Sequence, residues 1–291
     1  MRSTANYKAY LLIIVTVPFL GTVLAICSLW QRAILLSDLV LLVTMYTFTA
    51  LGMTVGFHRM LTHRSFRAHP TVKLVLLILG CMAVEAPPIE WVATHTKHHA
   101  LSDREGDPHS PMEGLFHAHL GWLFKDRFAD PQQYCRHLLK DPIVVFVNRT
   151  FLLWVALSLL IPFVIGGWTG FLWGALARIF LGHHATFSVN SICHVFGKRE
   201  FETNDRSHNE WVVGLLAFGE GWHNNHHAFP RSAFHGLHWW QIDLSGYLIL
   251  ALERIGLVQD VYRVSPALMA QYSSHNADPV PATPDAGAEA N

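Results

Sequence analysis

Twenty of the 291 residues are histidine, against 21 lysine plus arginine. Three short clusters stand out among them. His58 and His63 bound the segment HRMLTH, His95, His98 and His99 lie in HTKHH, and His223, His226 and His227 lie in HNNHH. The last two clusters share the spacing i, i+3, i+4, which places three rings within one stripe of a helix. The first pair is spaced i, i+5, about 140° apart on an ideal helix, so it needs a frayed or bent helix end. Histidine is the commonest metal ligand, and imidazole suits zinc, iron, copper and nickel. Gathering so many rings on one side of a membrane would be costly without a metal, because each carries polar nitrogens that need partners. One zinc takes three or four protein ligands, so this number implies two metals, each with an open position. Two redox metals beside an apolar compartment fit oxygen activation. A di-zinc hydrolase satisfies the same spacing.

The elements that position these clusters read as membrane helices. Half of the residues (51%) are hydrophobic, 14% are charged, and mean hydropathy is +0.27. That balance belongs to a membrane protein rather than a soluble domain. Basic and acidic side chains are equal at 21 each, so no net field points to nucleic acid as a partner. The cysteines, Cys27, Cys81, Cys135 and Cys193, form no CxxC and read as small apolar packing residues. Apolar runs over residues 10–30 and 34–57, parted by a turn at Gln31 and Arg32, predict a helical hairpin. The first run is long enough to span and shows no cleavage site, so it is not a signal peptide. A second hairpin is expected over 143–165 and 171–191, with its turn in Gly-Gly-Trp-Thr-Gly. The run from Leu74 to Val84 is too short to span and reads as interfacial or buried against protein. Ser245 to Val258 reads as an amphipathic surface helix, and residues 267–291 as a disordered tail. Gly52 and Gly56 form a GxxxG pattern suited to close helix packing.

Ten Lys and Arg residues lie between His58 and Lys140, whereas the turns at 31–33 and 166–170 hold only Arg32. The positive-inside rule therefore puts the turns outside, and residues 1–9, 58–142 and 192–266 in the cytoplasm. The expected fold is an all-α integral membrane protein with four transmembrane helices in two hairpins. A cytoplasmic helical cap within residues 10–266 holds the histidine-ligated di-metal site.

The order HxxxxH, HxxHH, HxxHH, interleaved with two hairpins, resembles the membrane fatty acyl desaturases. The segments GFHRMLTHRSF, IEWVATHTKHHALSD, DPHSPMEGLFHAHLGWLF, NSICHVFG and GEGWHNNHHAFP carry the resemblance. It covers roughly Met53 to Val264 and looks like the stearoyl-type branch, which makes the first double bond. In that branch NSxxH implies a ninth imidazole, His194, and an Asn, here Asn190, that holds a metal-bound water. Their i, i+4 spacing lets both face one metal. Glu90, Asp103, Asp107 and Glu220 flank the boxes and are candidates for the carboxylates that accept the second nitrogen of metal-bound histidines. His109 matches the family's DPH and His119 its SHxGW, with Ala118 in place of Ser; neither is a ligand position there. His183 and His184 lie roughly 15 Å along the helix from His194 and read as polar packing residues. His69, His117, His137, His208, His235, His238 and His275 read as non-ligating.

The resemblance implies two irons, O2 as co-substrate and two external electrons. One hydrogen leaves each of two neighbouring methylenes, and oxygen leaves as water. The implied product carries a cis double bond between carbons nine and ten. An acyl chain has no polar handle there, so a closed, bent apolar tunnel must set the distance from the head group. Trp91, Trp122, Phe187 and Trp222 are candidate walls. No electron-carrier segment is present, so a separate ferredoxin, cytochrome b5 or similar protein with its reductase is an expected partner. Acyl-lipid, acyl-CoA and acyl-ACP are all candidate substrates. The animal acyl-CoA enzymes carry an Arg-Asp pair before the first His of HxxHH; here Ala93 and Thr94 stand there, and the surrounding segments look more like bacterial enzymes. The expected location is therefore a bacterial plasma membrane, with the site on the cytoplasmic side. A membrane hydroxylase with the same boxes is the nearest alternative.

Overall fold

The computed structural model describes residues 4–29, 34–125 and 129–273. The turn at Gln31 and Arg32, His275 and the tail beyond 273 lie outside them. Helices α1 (Thr4–Leu29) and α2 (Leu36–Leu51) form the first two apolar runs. The second run does not stop near residue 57. It continues as a π-helix over Gly52–Thr62, whose bonds run from i to i+5. One of these joins the first histidine pair, with His63 N donating to His58 O at 3.1 Å. A widened helix, rather than a frayed end, thus brings residues five apart onto one face.

Helix α3 (Pro70–Cys81) is the short apolar run, and it packs on the π-helix. A Cβ on Gly52 would lie 2.2 Å from Gly80 N, and one on Gly56 would lie 3.0 Å from Leu76 O. GxxxG is here a close-packing device, as expected. Helix α4 (Pro88–Leu101) starts with Pro88 in its first turn, where the missing N–H costs nothing. Two short helices, α5 (Leu115–His119) and α6 (Pro131–Tyr134), lead to α7 (Pro142–Arg149). Asp141 caps α7, accepting from Ile143 N and Val144 N at 3.1 and 3.2 Å. At its other end, non-helical backbone at Thr150 (φ −96°, ψ 13°) separates α7 from the next apolar helix, so the third apolar run begins at Phe151 and not at 143.

That run comprises α8 (Phe151–Gly170), a π segment (Phe171–Ala177) and α9 (Arg178–Ser191). Gly167 breaks it with φ 59° and ψ −144°, a conformation glycine adopts without a side-chain penalty. The chain folds back here: a Cβ on Gly170 would lie 2.5 Å from Pro162 O. Among the described residues, three stretches are long and apolar enough to cross a membrane: Tyr10–Leu29, Leu36–Thr62 and Phe151–His194, the last being 44 residues long. Arg178 and His183 are buried between these elements. Arg178 donates to Met82 O at 2.6 Å and Ser158 O at 3.1 Å, and His183 Nε2 lies 3.2 Å from Ala83 O. Both tie α9 to the corner that follows α3.

The remaining helices are α10 (Trp211–Leu216), α11 (His223–Ala228), α12 (Leu244–Arg254) and α13 (Pro266–Tyr272). The expected amphipathic helix is α12. Helix α13 occupies residues expected to be disordered; Ser265 caps it, its hydroxyl accepting from Leu268 N at 3.2 Å. A two-stranded antiparallel pair, β1 (Arg67–Ala68) with β2 (Val258–Gln259), fastens the segment after the π-helix to the segment after α12. The main core, which includes Phe57, Leu77, Val92, Val147 and Ile249, sits where the π-helix, α3, α4, α7 and α12 meet.

Candidate metal centre

The histidine boxes ride on one π-helix and two α-helices. The π-helix offers His58 and His63, α4 offers His95, His98 and His99, and α11 offers His223, His226 and His227. His194 ends a 3-10 turn that follows α9. The two Asn residues inside HNNHH hold α11 in place. Asn224 accepts from Glu200 N and Phe201 N at 2.7 and 2.8 Å, and Asn225 donates to His235 O and Gln241 Oε1 at 2.8 and 2.9 Å.

These elements bring all nine predicted imidazoles together, in two groups. His58, His63, His95, His99 and His226 form one, and His98, His194, His223 and His227 form the other. Within each group the candidate ligand atoms all lie within 4.8 Å of one another. Facing Nε2 atoms are 3.2 Å apart for His58 and His226, 3.4 Å for His63 and His95, and 3.1 Å for His95 and His99. The Nε2 atoms of His194 and His223 are 3.0 Å apart. An ion about 2.1 Å from each nitrogen would set neighbouring ligand atoms about 3.0–3.4 Å apart, from square to tetrahedral angles. The donor set therefore fits a metal pair. Moreover, Nε2 of His98 and of His227 is buried without a hydrogen-bond partner, an arrangement that suits a nitrogen aimed at a metal.

The opposite ring nitrogens meet carboxylates. Nδ1 of His98 is 2.9 Å from Asp107, that of His194 3.1 Å from Asp103, that of His227 2.7 Å from Asp205 and that of His58 2.6 Å from Glu220. Such partners fix ring orientation and tautomer, leaving Nε2 free for a metal. Burial first, and neighbouring rings second, hold His95, His98, His99, His223 and His226 well below the ordinary histidine range. They are neutral near pH 7, the form that binds metal. At Asp205 burial pushes the carboxyl up, but the His227 hydrogen bond and charge outweigh it and hold it far below its usual range.

Three of the four flanking acids are thus placed as the sequence suggested. Glu90 instead lines a cavity, together with Trp91 and Lys125, and the fourth carboxylate is Asp205. No spacing signals Asp205, because it comes from a turn far from every box. Two further histidines join the site. His235, which reads as non-ligating in the sequence, is buried beside the site, 3.2 Å from Glu220 and with its ring 4.4 Å from that of His226. The His109 ring lies 4.2 Å from that of His98, tilted by 33°. Arg59, also buried, donates to Asp243 at 3.0 Å and pairs with Glu220 at 3.1 Å.

Two cavities reach the centre. One is lined by Trp91, Trp122, Phe187 and His95, the other by Trp91, Met53, Ile179, His58, His95 and His223. They share Glu85, Trp91, His95, Thr186 and Asn190. Three of the four expected tunnel aromatics are on these walls. Trp222 is not: its Nε1 donates to Ile242 O at 2.8 Å, and its ring lines a separate groove with Trp211 and Trp240. Glu85 accepts from Trp91 Nε1 at 2.9 Å and Thr186 Oγ1 at 2.8 Å. Burial pushes its carboxyl up to about 7, against the lowering effect of both donors. His119 and His184 pair with each other at 2.9 Å, away from both groups, as packing residues.

The fatty acid desaturase family profile matches residues 35–245. Over 266 residues the chain is 41% identical to a hex-5-enoyl-[acyl-carrier protein] acetylenase of Moorena producens, covering 84% of this chain and 83% of the relative. It is 43% identical over 214 residues to an sn-1 stearoyl-lipid 9-desaturase of Anabaena variabilis, covering 72% and 78%. It is 41% identical over 214 residues to an acyl-CoA 5-desaturase of Anemone leveillei, covering 72% and 67%. With two imidazole groups poised at the ends of apolar cavities, and this match over most of its length, the chain belongs to the membrane fatty acid desaturase family.

Proposed function

We propose that this desaturase holds two irons on nine histidines and introduces a cis-Δ9 double bond into a long saturated acyl chain, as the resemblance to the stearoyl-type branch implies. The observation that carries the reading is the division of the nine imidazoles into groups of five and four, at the junction of two cavities. Iron suits an all-imidazole donor set and, unlike zinc, carries electrons. The Anabaena relative is named for the same bond position. The first group would hold one iron and the second the other, with Asn190, on the wall shared by both cavities, holding a water. We assign the two arms on either side of Gly167 to separate crossings, giving four, with the cap in the cytoplasm of a bacterial cell.

When bound, the irons supply the redox chemistry that couples O2 reduction to hydrogen removal. In balance, one saturated –CH2–CH2– unit, one O2, two electrons and two protons give one –CH=CH– unit and two waters. A separate electron carrier, such as ferredoxin or cytochrome b5 with its reductase, delivers the electrons. The chain's own residues position the substrate. Trp91 lies on both cavity walls and fixes where the chain passes His95. Its indole is held by Glu85, whose carboxyl burial drives toward the neutral form that suits an apolar occupant. The carboxylates on the outer nitrogens keep the rings aimed inward.

Ala93 is 0% exposed and cannot meet a head group, and Thr94 offers no charge. We therefore assign lipid-linked chains, rather than acyl-CoA, as the preferred form. The test is metal analysis of purified protein with product mapping by mass spectrometry. Two irons per chain and a 9,10-double bond are expected, and His98→Ala or His226→Ala should abolish product. Zinc in place of iron, a hydroxylated product, or full activity in either variant would defeat the reading.

A further inference from the structure

An apolar recess lies between α2, α9 and α10. Its walls include Leu42 and Val43 from α2, Leu181 from α9 and Val212 from α10. Val43 and Leu181 are 55% and 44% exposed. Both long helices belong to stretches able to cross a membrane, so the recess opens onto lipid tails. Tyr46, Ala185 and Leu216 line this recess and also line the cavity that holds His58, His95 and His223. They are the partition between membrane and metal centre.

One hydrogen bond closes that partition from α2 to α10: Tyr46 Oη donates to Leu216 O at 2.7 Å. The Tyr46 ring rests on Phe218, 5.9 Å between centroids. Phe218 is held at φ 56°, a left-handed conformation that is strained for a bulky residue. It follows α10 directly and stands two residues before Glu220, the carboxylate on His58. Strain of this kind gathers at elements that switch between two arrangements.

We propose that the Tyr46–Leu216 contact is a lateral gate through which the acyl tail of a bilayer glycerolipid slips from the membrane into the metal-centre cavity. The proposal rests on the desaturase reading above and adds the route and the substrate class. A tail entering here crosses no water, and its glycerol stays at the membrane surface beside the cap. The exposed Trp211 at the start of α10 marks that surface, since indole rings favour the interface. A chain on a water-soluble carrier has no need of this path.

Two substitutions that touch the recess but not the inner cavity test it. Full-length protein carrying Val43→Trp with Leu181→Trp is reconstituted in phosphatidylcholine vesicles with an electron donor. Stearoyl chains are offered either on the vesicle lipid or on a soluble carrier. Turnover of lipid-linked chains should fall at least tenfold, with carrier-linked turnover within twofold of wild type. Equal loss on both forms, no loss on either, or a wild type that uses carrier-linked chains alone overturns the gate. In parallel, phosphatidylcholine with a diazirine in its tail should label the partition around Ala185 and Leu216 in wild type and not in the double variant. Absence of that label, or label with unchanged lipid turnover as for a static bound lipid, also overturns it. A wild type that desaturates neither form defeats the desaturase reading instead, and the photolabel still decides the gate.

Discussion

A metal-binding imidazole does its work with one nitrogen and is governed by what holds the other. Asp205 shows this most sharply. Its carboxylate accepts from His227 and also from Ser207 N at 3.0 Å, so the turn that carries it is built around the ring it orients. Asp205→Asn keeps the shape and removes the charge. Loss of such a partner typically costs about 10–100-fold in metal affinity or activity. That loss is expected here, read as weaker retention of iron during titration with a chelator, while Glu90→Gln should leave retention unchanged. Glu85 behaves in the opposite sense. Its folded pKa is raised, so the protonated folded state is favoured at low pH. The associated stability is present below the unfolded value and is lost as pH rises through about 7. Glu85→Gln cannot titrate, so its thermal midpoint relative to wild type should climb from pH 5 to pH 8. A difference independent of pH would show that the Glu85 carboxyl is ionised throughout.

At the scale of elements, the boxes need backbones of two kinds. An α-helix serves i, i+3, i+4, whereas i, i+5 needs the wider turn of a π-helix. The latter survives because α3 packs along it through Gly52, Gly56 and Gly80, and because Arg59 anchors it to the cap. The Arg59 guanidinium spans Glu220, Asp243 and Ala233 O, and Asp243 in turn caps α12 through Gly246 N at 2.9 Å. Arg59→Met would fill the same volume but leave two carboxylates buried without their cation. Removing one partner of a buried ion pair costs about 3–5 kcal/mol. A large fall in thermal midpoint is therefore expected in detergent-purified protein, together with loss of metal. An unchanged midpoint would mean that the cap is held elsewhere.

For the whole molecule, the apolar helices form a scaffold whose ends meet the shorter helices and the β1–β2 pair, and the two imidazole groups lie at that junction. Oxygen chemistry and chain binding share one compartment, so head-group choice depends on how a chain reaches it. Relatives of similar identity are named for carrier-, lipid- and CoA-linked chains, so likeness alone leaves the head group open. Hydrogen bonds to charged groups contribute about 1.5–3 kcal/mol each, so a chain lacking the Arg-Asp pair should bind CoA at least about tenfold more weakly. Purified enzyme offered both forms side by side should turn over the lipid-linked chain faster; faster turnover of acyl-CoA would show that other basic residues of the cap hold the CoA.

The sequence by itself determined the nine imidazoles, the apolar helices and the tight glycine contact, because each is written in short-range spacing that a helix converts directly into a shared face. It also supplied three of the carboxylates, which lie within a few residues of a box or of a ligand's own segment. Tertiary structure alone decided the rest. The split of nine rings into five and four depends on how α4 and α11 cross, since His98 faces one group and His99 the other. Asp205 and His235 come from turns with no periodicity to reveal them, and they reach the site only because Asn224 and Asn225 draw their segments onto α11. Trp222 reads like Trp91 in sequence, yet one hydrogen bond to Ile242 O turns it to another groove. The π-helix was disguised for the same reason: its pattern becomes legible only when α3 packs against it and makes the wider turn worth its poorer geometry.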